Sequence, residues 1–409
     1  MGFGQGLSGL NAAAQDLDVI GNNIANSGTV GFKSGSATFA DVYANSRVGL
    51  GVQVSGINQD FSIGSVTGTG NQYDIAIDGA NGLFRLQDPT GQVLYSRNGQ
   101  FHADKDNYIV NAQGQRLTGY PAGGSATDLQ PIKVPVGNIP PTATSATTTQ
   151  ANLDANAPII DATTTPFDPA VSGSYTHVLP ITVYDSLGNQ HQLTQYFAKR
   201  APTAGPPAQS QWDVYYRLDG AAVTSPADGA TKMSFDDSGR LTSAPPVVNL
   251  SIAAPGGAGS PAAALAIAVD YTGTTQFGGA FAANFNPNGY ASGEYASMSI
   301  GTDGSIVANY TNGETQSLGS LALANFNNLQ GLQPVGGNAW IETSASGQAI
   351  LGRPGSNGLA SIKGQSVEES NVDMSQELVK MIIAQRTYQA NAQTIKTQDQ
   401  IMQTLITGL

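Results

Sequence analysis

The two ends of the chain restrict its fold more than anything between them. From the N-terminus, Phe3, Leu7, Leu10, Ala14, Leu17 and Ile24 follow at intervals of 4, 3, 4, 3 and 7 residues. Ile20 lies beside this stripe, and Gly21 takes the skipped position. An apolar residue every 3.5 positions on average marks a helix that packs along another helix. The last segment keeps the pattern for longer. Met374, Leu378, Met381, Gln385, Tyr388, Ala392, Ile395, Asp399, Met402, Ile406 and Leu409 alternate steps of 4 and 3, with Ile382 alongside. Ser370 and Asp373 resemble a capping box before this helix, and Asp373 and Glu377 suit its positive end. Gly21 costs about 1 kcal/mol relative to alanine, so a bend or loosening is expected there.

These helices could simply pack on the protein's own core. Against that, both are amphipathic, both lie at chain ends, and the second stripe continues to the final residue. Termini fray unless something holds them. The pattern therefore predicts a helical partner, either within the chain or from a neighbouring subunit. Gln385 and Asp399 interrupt the apolar stripe. Buried, they would fix register at a cost in stability; exposed, they would face water.

Between the ends the signals are β. Tyr73, Ile75 and Ile77 alternate, and "DPTG" at 88–91 separates two further strands. From Pro140 the composition shifts to Thr, Ala and Pro, a linker or boundary. A second β region starts near Tyr175, where Pro180 would place the first strand at an edge or bulge. Strands resume after an irregular Ala/Gly/Pro stretch at 253–264, with Asp303–Gly304 as a hairpin turn. The expected fold class is α+β, mainly β, with paired terminal helices forming a coiled-coil-like inner domain beneath nested β-rich domains.

Composition narrows the function. Of 409 residues only 11% are charged, and the net charge is −12. Nucleic-acid binding needs a basic face, which this balance argues against. With no cysteine, disulfides and thiolate metal sites are excluded. The N-terminus lacks a secretory pattern, and no apolar run approaches the ~20 residues of a membrane span. That suggests a cytosolic protein or a leaderless export route.

No residue set points to catalysis. His102, His177 and His191 have no ligand spacing, and no HxxxH, GxSxG or P-loop pattern occurs. "DKDNYIVNAQGQ" from Asp104 starts like a calcium loop, but Ile109 stands where the glycine is needed. Asp236–Asp237 next to "SGR" reads as a solvated turn. No enzyme activity, cofactor or metal is expected.

The ends carry a resemblance. "NNIANSGTVGFK" at 22–33, within "LSGLNAAAQDLDVIGNNIANSGTVGFKSGSATFADVY", is similar to the N-terminal signature of the bacterial flagellar axial proteins, the rod and hook family. "VEESNVDMSQELVKMIIAQRTYQANAQTIKTQDQIMQTL" resembles that family's C-terminal segment. "VGLGVQVSGINQDFSIGSVTGTGNQYDIAIDGANGLFRL" and "YSRNGQF" resemble the connecting region and inner β domain of its hook branch. About two-thirds of the chain is covered, and 147–279 is matched mainly by position and size.

The resemblance implies a structural subunit. It would polymerise into a short curved tube that joins rod to filament, transmits torque while bending, and encloses an export channel. The implied partners are further copies of itself, the rod, hook-associated junction proteins, the hook cap and the type III export apparatus, with no nucleic acid and no membrane insertion. Location would be the flagellar hook, outside the cell, reached without a cleaved signal peptide. The implied domains are paired terminal helices (1–30 and 366–409), an extended connector (31–71 and 355–365), an inner β domain (72–145 and 285–354) and an outer β insertion (146–284). Phe3, Leu7, Leu10, Leu17, Ile20, Ile24, Met374, Leu378, Met381, Ile382, Tyr388, Ile395, Met402 and Ile406 would form the polymer core. Gln385 and Asp399 would face the channel or fix register. Asn22, Asn23, Asn26, Gly28, Gly31 and Phe32 would form a hinge into the connector. Phe3–Leu7 and Phe39–Tyr43 fit an export-gate pattern, which core packing explains equally well. A rod or junction protein would share the termini. A secreted β-rich adhesin or enzyme would instead tolerate their removal.

Overall fold

The computed structural model describes residues 3–42, 49–124, 128–203, 208–226, 230–243, 246–257 and 259–407. They fall into two compact units. The first combines Met1–Val136, Ala296–Asn309 and Thr315–Leu409; the second holds Gly137–Tyr295 and Tyr310–Glu314.

In the first unit, helix α1 (Phe3–Ala25) runs uninterrupted through Gly21 and packs on helix α2 (Met374–Thr407). They are antiparallel. Asn23 near the end of α1 meets Glu377 at the start of α2, while Gly6 faces Ile395. Close approach requires small residues here. A Cβ on Gly6 would lie 3.1 Å from Ile395, and one on Gly9 would lie 2.8 Å from the Asn391 side chain. Ala12 and Ala13 are buried beside them. The cap of α2 differs from the sequence expectation. Asp373 is itself the capping residue, its Oδ1 accepting from the amides of Ser375 (2.9 Å) and Gln376 (3.2 Å). Ser370 accepts from Val372, outside the helix.

After α1 come strands β1 (Gly35–Val42) and β2 (Gly51–Gln59), an antiparallel pair with a bulge at Thr38/Phe39. Strand β3 (Val66–Gly68) then pairs with Ser366–Glu368, and β4 (Ile75–Asp78) pairs with Ser361–Gly364. The outgoing and returning chains therefore run side by side as a two-ply connector. Beyond it, short strands from Leu83–Gln87 to Ile350–Gly352 form a mixed-order sheet. Its core includes Leu83, Tyr95, Phe326 and Trp340, with Tyr95 and Phe326 edge-to-face at 4.8 Å.

The second unit is a β-sandwich. One sheet has the order Val247–Ile252, Leu265–Asp270, Ala146–Asn152, Ala282–Pro287. The other is built on His177–Tyr184, Gln190–Arg200 and Ser210–Leu218, and Pro180 lies in its edge strand. Alternate residues point inward, as the period of two demands. Leu193, Phe197, Trp212 and Val214 from one sheet meet Leu250, Ile267 and Val269 from the other, all nearly inaccessible. Two core phenols are paired: Tyr216 and Tyr271 share a hydroxyl contact at 2.9 Å, and Tyr271 donates to Gln195 at 2.7 Å. Burial pushes the Tyr216 phenol up to about 12. The polar loop at Asp104 and the pair Asp236–Asp237 are both turns, closed by Asp104 Oδ1 on the Tyr108 amide and Asp236 Oδ1 on the Arg240 amide.

Candidate assembly interface

The segment 22–33, between α1 and β1, is a tightly bonded joint. Asn26 donates to the Asn22 carbonyl at 2.9 Å and accepts from Thr29, which closes the helix end. Asn23 is buried and binds three groups. Its Oδ1 accepts from the Gly35 amide, and its Nδ2 donates to the Gly35 carbonyl and to Glu377 Oε2. One side chain therefore links α1, β1 and α2. Gly28 is exposed with open space around it. Gly31 has φ +70°, and a Cβ there would lie 2.5 Å from the Asn98 amide nitrogen. Only glycine fits both the left-handed backbone and that approach. Phe32 is half-buried between two clefts of about 320 and 350 Å³.

Three charged side chains with almost no solvent exposure lie just beyond. Lys33 and Arg97 are each 1% exposed and Glu368 is 0%. Lys33 Nζ lies 2.5 Å from Glu368 Oε1, and Arg97 Nη1 lies 2.9 Å from Oε2. One carboxylate cannot neutralise two cations, so carbonyl oxygens take the rest: Ser62 accepts from Lys33, and Gly79 and Ala80 accept from Arg97. Burial pulls both cations below their ordinary values, and Glu368 opposes that shift. Glu368 also accepts the Gly64 amide, and its own carbonyl accepts the Gly31 amide. Asn371 completes the lock, accepting from the Ser34 amide at 2.8 Å and donating to the Asp60 carbonyl at 2.8 Å. Glu368, Arg97, Lys33 and Asn371 were not singled out from the sequence as site residues. The available signal was their position inside "GFK", "YSRN" and "VEESN", in a chain with few charges.

The terminal helices present the opposite chemistry. The row of α2 that meets α1 is Glu377, Ala384 and Asn391, flanked by half-buried Met381 and Ile395. That is one residue earlier than the row Leu378, Gln385, Ala392 and Asp399. Gln385 and Asp399 are consequently exposed. Leu378 (47%), Ile382 (51%) and Met374 are exposed, and Ile383 (60%) is exposed beside the α1 contact. Met402 (60%) and Ile406 (72%) are still more open. Tyr388 is just exposed. On α1, Ile20 is buried; Leu10, Leu17 and Ile24 are half-buried; Phe3 and Leu7 are exposed. Phe39 is exposed on β1, while Tyr43 lies outside the described residues. So many exposed large apolar residues on two helices mark a contact face.

Among the described residues no His/Cys/Asp/Glu group could hold a metal, and no helix is long and apolar enough to cross a membrane.

Comparison with known proteins accounts for nearly the whole length. Family models match in four consecutive blocks: flagella basal body rod protein at 5–33, flagellar hook protein FlgE/F/G D1 domain at 76–152, flagellar basal body protein FlaE D2 domain at 152–290, and flagellar basal body rod FlgEFG protein C-terminal at 363–408. The flagellar hook protein FlgE of Salmonella typhimurium is 45% identical over 413 residues, covering 99% of each chain. That of Escherichia coli K12 is also 45% identical with the same coverage. The protein of that name from Borreliella burgdorferi is 31% identical across 98% of both chains. In fold, the crystal structure of Helicobacter pylori flagellar hook protein FlgE2 superposes with a TM-score of 0.53 at 14% identity, covering 74% of this chain and 99% of that one.

Proposed function

This chain belongs to the flagellar hook protein family, and from that premise we propose how its architecture serves the hook. It is a structural subunit of the hook, in a family that is not enzymatic. The subunit assembles with copies of itself through α1 and α2 into a curved tube around an export channel. The observation that carries this reading is the apolar surface of the terminal helices, with Ile383 60% and Ile406 72% exposed. Burying one such aliphatic side chain is worth roughly 1.5–3 kcal/mol, so a few per contact suffice for assembly. The fourteen apolar positions of the terminal stripes divide the work. Ile20 and Ile395 join α1 to its own chain, while Phe3, Leu7, Leu378, Ile382, Met402 and Ile406 serve other subunits.

The joint transmits load. Torque entering through the helices must reach the β domains across 22–71, and the Lys33–Glu368–Arg97 cluster ties the outgoing chain to the returning one there. A stiff two-ply strut fits that task better than a free hinge. Asn22, Asn26 and Gly28 on its exposed side leave room for adjustment next to the locked Asn23, Gly31 and Phe32. The four-part division into helices, connector, inner β domain and outer insertion follows this path of load. Contacts with the rod, the junction proteins, the cap and the export apparatus belong to the two ends of the assembled tube. The subunit reaches them by the flagellar export route. Exposed Gln385 and Asp399 provide polar surface for the channel wall.

Electron microscopy of the purified protein under assembly conditions tests the proposal. Curved tubes are expected. Persistent monomers with intact terminal helices would overturn it.

A further inference from the structure

The helical pair carries two apolar features at different places along its length. Along the middle of the pair, a groove of about 580 Å³ lies among α1, α2, β1 and β2, lined by apolar Ala12, Ala13, Phe39 and Ile383 and by polar Asp16 and Asn391. The alanines are buried, whereas Phe39 is 45% and Ile383 60% exposed, so small residues sit between larger apolar ones. Toward the C-terminus of α2, the row that carries Met381 and Ile395 along α1 continues to Met402. Ile395 already faces Gly6, near the start of α1, and Met402 and Ile406 beyond it stand largely free. The outward face of α2 between the two patches is polar: Gln385, Arg386, Gln389 and Gln393 are all exposed. Ile383 and Ile406 are 23 positions apart in sequence, or roughly 35 Å along the helix.

We infer that the C-terminal turns of α2 from one subunit, led by Met402 and Ile406, seat in the Phe39–Ile383 groove of the next subunit. The inference rests on the self-assembly reading above and specifies its contact. Three observations select a second copy of this chain as occupant. Met402 continues the row whose Met381 and Ile395 pack along α1, and Ile406 beside it adds a second apolar side chain, so the tail's chemistry suits a helical groove floored by small residues. A recess and a projecting helix end complement one another, whereas two recesses or two projections do not. The two patches also differ in position, so the contact is heterologous and propagates as an open helical array instead of closing as a dimer.

The absence of native cysteine allows a direct test. A chain carrying Ile383→Cys and Ile406→Cys is polymerised, oxidised and run under non-reducing conditions. On one helix the two sulfurs are far beyond the Cα separation of about 7 Å that a disulfide tolerates, so any bridge is intermolecular. A ladder of dimers, trimers and higher species is expected, with neither single variant giving one. Should the double variant not polymerise, the two single variants co-assembled with unmodified chain must give a covalent dimer. Dimers from Ile406→Cys alone would show tail-to-tail contact and overturn the inference. Tubes that form normally without crosslinking would overturn it while leaving the hook reading intact. No tubes from the unmodified chain would remove both. In parallel, Ile406→Ser should raise the concentration needed for assembly by ~tenfold or more, the loss expected from one buried aliphatic side chain.

Discussion

The β-sandwich and the terminal helices use the same apolar residue types in opposite ways. In the sandwich, Phe197, Trp212 and Val214 are fully buried, and even the core phenols have partners. In α2, among the described side chains, only Glu377 and Ala384 are buried, and neither is a large apolar residue. The sandwich completes its core from its own chain. The helices leave large aliphatic residues exposed, and in the proposed assembly these form half of an interface. Self-contained stability and stability through association are thus separated into different parts of one subunit. Perturbations should separate them too.

The largest effect should come from ending the chain after Ile395. This removes Met402 and Ile406 but keeps the residues that face α1. Tube formation is expected to be lost, as read by sedimentation and microscopy, while the thermal transition of the sandwich stays in place. If tubes persist, association does not depend on that end of α2, and the contrast between the regions collapses.

Next come substitutions inside buried clusters, each about 3–5 kcal/mol. Glu368→Ala leaves Lys33 and Arg97 buried without their anion, and breaking such a pair from one side is costly. Phe197→Ala opens a cavity in the sandwich. The two costs should appear on different transitions in calorimetry. Glu368→Ala should also weaken assembly, because the joint sets where α2 leaves the connector. Phe197→Ala should leave the assembly threshold unchanged. A single shared transition lowered equally by both would contradict the separation.

Gly31→Ala is a smaller test of the joint alone. An alanine in left-handed backbone costs roughly 1–2 kcal/mol, and the contact with Asn98 adds to that. Hydrogen exchange should quicken at the Gly31 amide, which donates to the Glu368 carbonyl, and stay unchanged in the sandwich.

Much of this organisation is legible in the sequence, and the exceptions share a cause. Periodicity identified both helices because a seam repeats locally along one element. It did not show which row of α2 meets α1. The covered row, Glu377, Ala384 and Asn391, is not apolar, and much of the apolar surface of α2 is exposed. A hydrophobic pattern locates a face but does not name the partner that covers it. The Lys33–Arg97–Glu368 cluster was hidden for a different reason. Its members are separated by 64 and 271 positions, and only the two-ply connector brings them together. The second unit joins Gly137–Tyr295 to Tyr310–Glu314, and a five-residue return gives no compositional boundary.

The smallest expected effect is a pH dependence confined to the sandwich. His191 lies between two carboxylates, with Nδ1 2.7 Å from Asp219 and Nε2 3.3 Å from Asp185. Burial pulls its pKa down, but hydrogen bonds to Asp219 and Asp185 outweigh that and raise it above the ordinary 6.5. For Asp185, burial pushes up, yet bonds from the Asn189 side chain and amide, His191 and the Leu187 amide hold it at about 2. The stabilisation from His191 is therefore complete below about pH 6.5 and is lost as pH rises through its folded value. That from Asp185 is present above about pH 3.8 and is lost as pH falls toward 2. The sandwich should be most stable between these limits. His191→Gln should remove the alkaline-side decline, costing about 1 kcal/mol or less at pH 5.5 and almost nothing at pH 8.5. In the full chain the shift belongs to the sandwich transition alone. The terminal helices have no histidine, so the assembly threshold of His191→Gln should follow that of the unmodified protein across the same range.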